Sequence, residues 1–110
     1  DVKICSLDKE FIDKKIDFIK MDVEGYEWNA IKGGKKILEE NHDVKLIFEF
    51  FPMALRANNV KPDTVLTYLL DIGFHIYAID ENMRLLDFSI DDFCTRHANY
   101  SSMNLFCERL

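Results

Sequence analysis

The stretch at residues 16–25, Ile-Asp-Phe-Ile-Lys-Met-Asp-Val-Glu-Gly, most constrains the fold of this 110-residue chain. A mainly apolar run is followed at once by Asp22, Glu24 and Gly25. This order is typical of a buried parallel strand that ends at the rim of an open α/β sheet, where such sheets bind their ligands. Asp22 and Glu24 are therefore candidates for chemistry. Acids are also favoured at turns and helix N-termini, so the spacing alone leaves a purely structural role equally open.

The remaining sequence alternates between strand-like and helix-like patterns. The order β-α-β-α-β-β-α-β predicts an α/β fold, with parallel strands joined by helical crossovers and an antiparallel part at one side. Gly33 and Gly34 interrupt the first long helix, and we expect them to mark close packing of that helix on the sheet. The first half is predicted to contain a half-buried strand at 2–7, a helical turn capped by Asp8, a strand at 16–23 covered on both faces, a helix at 26–41 with Trp28, Ile31, Ile37 and Leu38 inside, and a buried strand at 44–51.

The second half is predicted to begin with a loop or irregular helix at 53–60 and a helix at 62–70, which has Val65, Leu66, Leu69 and Leu70 inside and Gly73 at its end. A hairpin of 74–79 and 84–88, a short helix at 89–97 and a strand at 102–108 are predicted to follow.

Composition excludes several classes of protein. The net charge of −6 disfavours a nucleic-acid or anionic membrane surface, because phosphate binding needs clustered Lys and Arg. No apolar run is long enough to span a bilayer and no signal peptide is visible, so we expect a soluble, cytoplasmic protein. Cys5, Cys94 and Cys107 are odd in number and widely spaced. They predict ordinary buried thiols in a reducing compartment rather than a disulfide framework or a zinc site.

A second acid, Glu49, lies near the end of the apolar run at 44–51. If the strands at 16–23 and 44–51 are neighbours, their backbones lie ~4.8 Å apart, so Asp22 and Glu49 face one ligand. Two close carboxylates can share a proton, which makes one of them a useful base, or they can hold Mg²⁺; the sequence leaves both open. Lys20 lies on the same side of an extended strand as Asp22 and Glu24, so a structural salt bridge is a further interpretation.

Four segments together resemble the FkbM-type methyltransferases: Leu-Asp at 7–8, residues 16–27, Ile-Lys-Gly-Gly at 31–34, and Leu-Ile-Phe-Glu-Phe at 46–50. The close match covers about the first fifty residues, and it departs from the family at Tyr26 and Gly34, where Ala is frequent. The resemblance implies S-adenosylmethionine as methyl donor and a class I, Rossmann-like sheet. Within that sheet the chain matches strands four to seven, mostly parallel with an antiparallel last strand.

The resemblance also implies roles for individual residues. Asp22 and Glu49 are the expected catalytic pair, as base or as Mg²⁺ ligands. Glu24, Lys20 and Tyr26 are expected to bind the acceptor, a small molecule such as a sugar whose hydroxyl is methylated. The residues that bind the donor are not indicated.

The glycine-rich donor loop of the methyltransferase fold is not recognisable in this sequence. Its four glycines, Gly25, Gly33, Gly34 and Gly73, form no Gly-x-Gly turn after a strand. We therefore expect residues 1–110 to be the C-terminal part of a methyltransferase domain, inactive alone, with the donor bound mainly by the absent half. The uncovered edge of the strand at 16–23 would then favour a homodimer. The alternative is a non-catalytic α/β module that serves as a scaffold or interaction domain.

Overall fold

The computed structural model describes residues 5–88 and 102–110. Five helices and five strands lie within these ranges, and all five strands belong to one sheet. The elements are α1 (Leu7–Glu10), β1 (Phe18–Met21), α2 (Glu27–Gly33), α3 (Lys35–Glu40), β2 (Lys45–Phe50), α4 (Pro52–Ala57), α5 (Pro62–Asp71), β3 (His75–Ile79), β4 (Leu85–Asp87) and β5 (Met103–Glu108). The predicted helix at 89–97 and Cys94 fall outside the described residues.

The sheet has the strand order β1-β2-β5-β3-β4. β1 and β2 are parallel, whereas β5 runs antiparallel to both of its neighbours, β2 and β3. β3 and β4 form the predicted antiparallel hairpin. The α/β class, the hairpin and the final strand are thus confirmed. No helix in the described part of the chain is long and apolar enough to cross a membrane.

β1 lies at one edge of the sheet as described. Only β2 pairs with it, and its other side has no strand partner among residues 5–88 and 102–110. Phe18 is 52% exposed and Lys20 is also exposed, so the expectation of a strand covered on both faces is wrong for these residues. Ile19 packs against the core cluster and Met21 belongs to it.

The predicted single helix at 26–41 divides at Gly34 into α2 and α3. Gly33 and Gly34 pack against the start of α1, not against the sheet. A Cβ on Gly33 would lie 3.4 Å from Cβ of Ser6, and one on Gly34 would lie 3.2 Å from Cδ1 of Leu7. Close packing was therefore predicted correctly, but its partner was wrong.

Between Cys5 and β1 the structure contains the predicted helical turn and no strand. Residues 5 and 6 form no strand, and α1 begins at Leu7 because the Ser6 hydroxyl accepts the backbone N–H of Lys9 at 3.2 Å. Asp8 does not cap this turn. Its two carboxylate oxygens instead accept the backbone N–H groups of Lys36 and Ile37, at 3.1 and 3.0 Å, and so cap α3. The Leu-Asp pair thus joins α1 to the junction of α2 and α3.

The core lies between the sheet and the packed helices, and the largest fully buried side chains include Phe48, Phe50, Ile31 and Leu38. On α5 the buried positions are Pro62, Val65, Leu66 and Leu69, whereas Leu70 is 46% exposed and was wrongly placed inside. Trp28 is half-buried against the core. Cys107 is buried, which raises the pKa of its thiol to about 12, whereas Cys5 is exposed and was wrongly predicted as buried.

The side chain of Arg109 caps the C-terminal ends of α3 and α5. The Arg109 guanidinium, directly after β5, donates to the carbonyl oxygens of Ile72 and Asn41, both at 3.0 Å, and to that of Leu38. It also lies 4.1 Å from the ring centre of Phe74. A positive charge at helix C-termini is stabilising, and here it serves α3 and α5 at once.

Candidate functional site at the carboxyl ends of two strands

Asp22 and Glu49 stand at neighbouring strand ends. Met21 pairs with Phe48 in the parallel register of β1 and β2. Asp22 follows Met21 directly after the end of β1, and Glu49 follows Phe48 one residue before the end of β2. The predicted adjacency of the two strands is therefore confirmed. Asp22 is exposed and Glu49 is half-buried. Ligands of open α/β sheets bind at this edge, which makes the pair the centre of the candidate site.

A tight turn follows Asp22 and carries Glu24 to the surface. The Tyr26 N–H donates to the Val23 carbonyl at 3.2 Å, and the two central residues both have positive φ, +45° for Glu24 and +96° for Gly25. Two positive φ values are characteristic of type I′ turns. A residue other than glycine in this region stores strain of about 1–2 kcal/mol, and strain of this kind clusters at functional sites.

Gly25 is held through both of its backbone polar groups. Its N–H donates to the Glu27 carboxylate at 2.8 Å, and its carbonyl accepts from Nδ2 of Asn58 at 3.0 Å. Asn58 also donates to the carbonyl of Ala54 at 3.3 Å, which fixes the amide against α4. A Cβ on Gly25 would lie only 2.7 Å from Asn58 Nδ2, so glycine is required here. The turn is therefore held by Glu27 of α2 and by Asn58, the residue that follows α4.

Glu27 is the site residue that the sequence analysis missed. It is 2% exposed, the only charged residue among the described ones that is buried. Burial raises the pKa of Glu27, and the nearby charges of Glu49 and Asp22 raise it further, whereas hydrogen bonds from its own backbone and from Gly25 lower it. Glu27 thus lies within electrostatic reach of both Asp22 and Glu49. The signal in the sequence was an acid two residues after the glycine, directly at the start of a helix.

The remaining predicted residues surround this edge. Glu24 and Lys20 are exposed, and Tyr26 is 56% exposed on the turn. None of the ion pairs between described residues includes Lys20, so the salt-bridge interpretation with Asp22 or Glu24 is wrong for this structure. In residues 5–88 and 102–110, no three His, Cys, Asp or Glu side chains are grouped so that they could hold a metal ion, and the Mg²⁺ interpretation gains no support there.

Comparison with known proteins identifies the family. No curated protein and no solved structure gives a significant match to the chain. The family model for the methyltransferase FkbM domain matches residues 1–76 of the 110. The matched range contains α1 to α5, both parallel strands of the site and the turn between β1 and α2. The chain therefore belongs to the FkbM methyltransferase domain family.

Proposed function

We propose that this chain forms the acceptor side of an S-adenosylmethionine-dependent O-methyltransferase that acts in the cytosol on a hydroxyl of a small metabolite such as a sugar. Membership of the family supports methyl transfer in general. The observation that carries the proposal is that Met21 pairs with Phe48 in two parallel strands, and that Asp22 and Glu49 directly follow these two residues. A hydroxyl acceptor gives up a proton during methylation, and this edge offers carboxylates to receive it.

The chain's own residues have distinct roles in this proposal. Asp22, exposed at the end of β1, takes the proton as the acceptor oxygen gains the methyl group. Glu49, half-buried beside it, accepts a hydrogen bond from a second, neighbouring hydroxyl of a sugar acceptor and so orients the reacting one. Glu24 and Tyr26 on the turn contact the rest of the acceptor, together with Lys20 on β1. Positioning of this kind and proton transfer supply separate parts of the rate.

Glu27 acts beneath the surface of the site. Its carboxylate is too deeply buried to meet an acceptor, but it holds the Gly25 N–H and thereby the turn that carries Glu24 and Tyr26. We therefore assign it a positioning role. Burial raises the pKa of this carboxyl.

The methyl group comes from S-adenosylmethionine, which this family generally uses, but the described residues do not by themselves fit that donor. Both backbone polar groups of Gly25 are occupied, Gly33 and Gly34 pack against α1, and Gly73 lies against Arg109. No glycine in the described ranges therefore forms an open loop whose backbone could hold the donor. We propose that residues beyond those described bind the donor on the unpaired side of β1, and that the 110 residues are the C-terminal part of a methyltransferase domain.

The sheet supports the same assignment. We propose that β1, β2, β3 and β5 correspond to strands four, five, six and seven of a class I methyltransferase sheet. The support is that β5, the last strand along the chain, lies between β2 and β3 and runs antiparallel to both. The free side of β1 is also compatible with a homodimer in which two copies of this edge meet.

Replacing Asp22 by Asn tests the proposal in the native protein. D22N keeps the size of the side chain and removes the base, so methyl transfer from labelled donor to a panel of sugars should fall by at least ~100-fold while donor affinity is unchanged. The matched control is Asp17→Asn, since Asp17 is an exposed aspartate that directly precedes the first residue of β1 and so lies at the end away from the site. Wild-type rates in D22N would refute the role of Asp22. Absence of donor binding by the wild-type protein would favour the scaffold alternative.

A further inference from the structure

A cavity lies beside the turn, between α2 and the segment that joins α4 to α5. Its volume is about 410 Å³, within the range of small-ligand pockets. Trp28, Asn29 and Lys32 line it from α2, and Asn58, Asn59 and Lys61 line it from the opposite side. We call this cavity the α2–α5 groove.

The groove has a different charge from the rest of the molecule. The chain has 20 acidic and 14 basic residues, yet the lining of the groove contains two lysines and no carboxylate. Nζ of Lys32 lies 5.9 Å from the ring centre of Trp28, which holds the ammonium group at the wall of the groove. The groove is therefore a cationic pocket next to an acidic edge.

The other lining groups are neutral hydrogen-bonding side chains. Asn29 and Asn59 supply amides and Thr64 supplies a hydroxyl. Amides both donate and accept, so they pair well with ligand hydroxyls, whereas ammonium groups pair with anions. The lining thus suits a small molecule that carries hydroxyls and an acidic group.

Asn58 connects the groove with the candidate site. It lines the groove, and the same side chain donates to the Gly25 carbonyl at 3.0 Å. Trp28 follows Glu27 directly in α2. A molecule in the groove therefore contacts Asn58, which holds the turn, and Trp28, the neighbour of Glu27, which holds it as well. The groove and the candidate site thus adjoin the same turn.

We propose that the α2–α5 groove binds the non-reacting part of the acceptor and that this part bears an acidic group, a phosphate or a carboxylate, held by Lys32 and Lys61. This inference rests on the proposed function and narrows the acceptor from any small hydroxyl compound to a hydroxyl compound that also carries a phosphate or a carboxylate. Binding energy gained away from the reacting atoms holds the hydroxyl in place at Asp22 and Glu49.

The test is a titration of the ¹⁵N-labelled chain, followed by NMR, with glucose 6-phosphate, glucuronate, glucose and inorganic phosphate. We expect saturable shifts of the Asn29, Asn59 and Thr64 amides with one or both acidic sugars, at a Kd about tenfold below that of glucose. The double variant Lys32→Gln/Lys61→Gln should lose this tenfold preference, since each exposed ion pair contributes a factor of about three. Lys45→Gln, an exposed lysine at the start of β2, is the matched control and should change nothing.

Several results would overturn the inference. Equal affinity for glucose and for both acidic sugars would show that the groove does not recognise an acidic group. An unchanged preference for acidic sugars in the double variant would show that Lys32 and Lys61 do not bind that group. Binding of inorganic phosphate as tight as that of glucose 6-phosphate would leave only an ion site. If the native enzyme methylates neutral sugars as fast as acidic ones, the inference fails while the proposed function stands, because D22N tests that function separately.

Discussion

Gly25→Ala is the most informative single substitution, because its effect on the free energy of unfolding can be worked out from individual contacts of Gly25. Gly25 has φ of +96°, and its N–H and carbonyl are both bonded to side chains, those of Glu27 and Asn58. Replacing the α-hydrogen by a methyl group therefore disturbs the backbone conformation, the Asn58 amide and the α4 backbone at the same time.

Three costs add. A side chain in the left-handed region costs about 1.5 kcal/mol. The new Cβ would lie 2.7 Å from Asn58 Nδ2, so that amide moves and its bonds to the Gly25 and Ala54 carbonyls are lost, for about 1 kcal/mol net. The same Cβ would lie 2.9 Å from the Ala54 carbonyl oxygen, and relief there requires a backbone shift of about 1 kcal/mol. The expected loss in the free energy of unfolding is about 3.5 kcal/mol.

Urea denaturation and thermal melting followed by circular dichroism measure this loss. At about 4 °C per kcal/mol for a domain of this size, Tm should fall by about 14 °C. Gly33→Ala is the control, because a Cβ there would lie no closer than 3.4 Å to its nearest neighbour, Ser6 Cβ. It should change stability by less than about 1 kcal/mol, in the stabilising direction expected for alanine in a helix.

A double-mutant cycle isolates the role of Asn58. In an Asn58→Ala background the amide can no longer collide with the new methyl group, so Gly25→Ala should cost about 1 kcal/mol less than in the wild type. A loss below about 1 kcal/mol for the single variant, or fully additive losses in the cycle, would refute the clamp on Gly25.

Three further predictions concern Glu27, Arg109 and Phe18. Burial raises the pKa of Glu27 in the folded state, so its contribution to stability is fully present below the ordinary glutamate pKa of about 4.3 and is lost as pH rises through the raised value. Glu27→Gln should flatten this decline in urea titrations between pH 4 and 8, and an unchanged slope would contradict the assignment. Arg109→Met should lower the free energy of unfolding by about 3 kcal/mol, because the carbonyls of Leu38, Asn41 and Ile72 lose their donor; a wild-type urea midpoint would contradict this. Phe18→Lys places a charge on the exposed edge of β1 and should reduce self-association of the 110-residue chain in sedimentation velocity; a wild type that is monomeric at all concentrations would show that this edge does not pair.

The part of the site that the sequence predicts depends on short-range pattern. Asp22 follows one apolar run and Glu49 lies near the end of another, and parallel neighbouring strands bring such ends together without further information. The hairpin and the role of Gly73, with φ of +99° after α5, also follow from local turn chemistry.

The part that the sequence does not predict depends on contacts distant along the chain. The buried Glu27 carboxylate is bonded to the turn at Gly25, and that turn is held by Asn58, 33 residues after Gly25. Likewise the helix divides at Gly34 because Leu7 packs there, and Asp8 caps α3 from 28 residues away. Helical periodicity alone contains no signal for any of these contacts.

The position of β5 governs the order in which the protein can fold as it is synthesised. β5 is the last strand along the chain, yet it joins β2 on one side to β3 on the other. Before Glu108 has left the ribosome, the pair β1–β2 and the hairpin β3–β4 share no strand hydrogen bonds. Long-range pairing of this kind is slow, because the loop must close before the contacts form. Until β5 is available, the chain therefore holds two pieces of sheet that share no strand pairing, and β5 unites them.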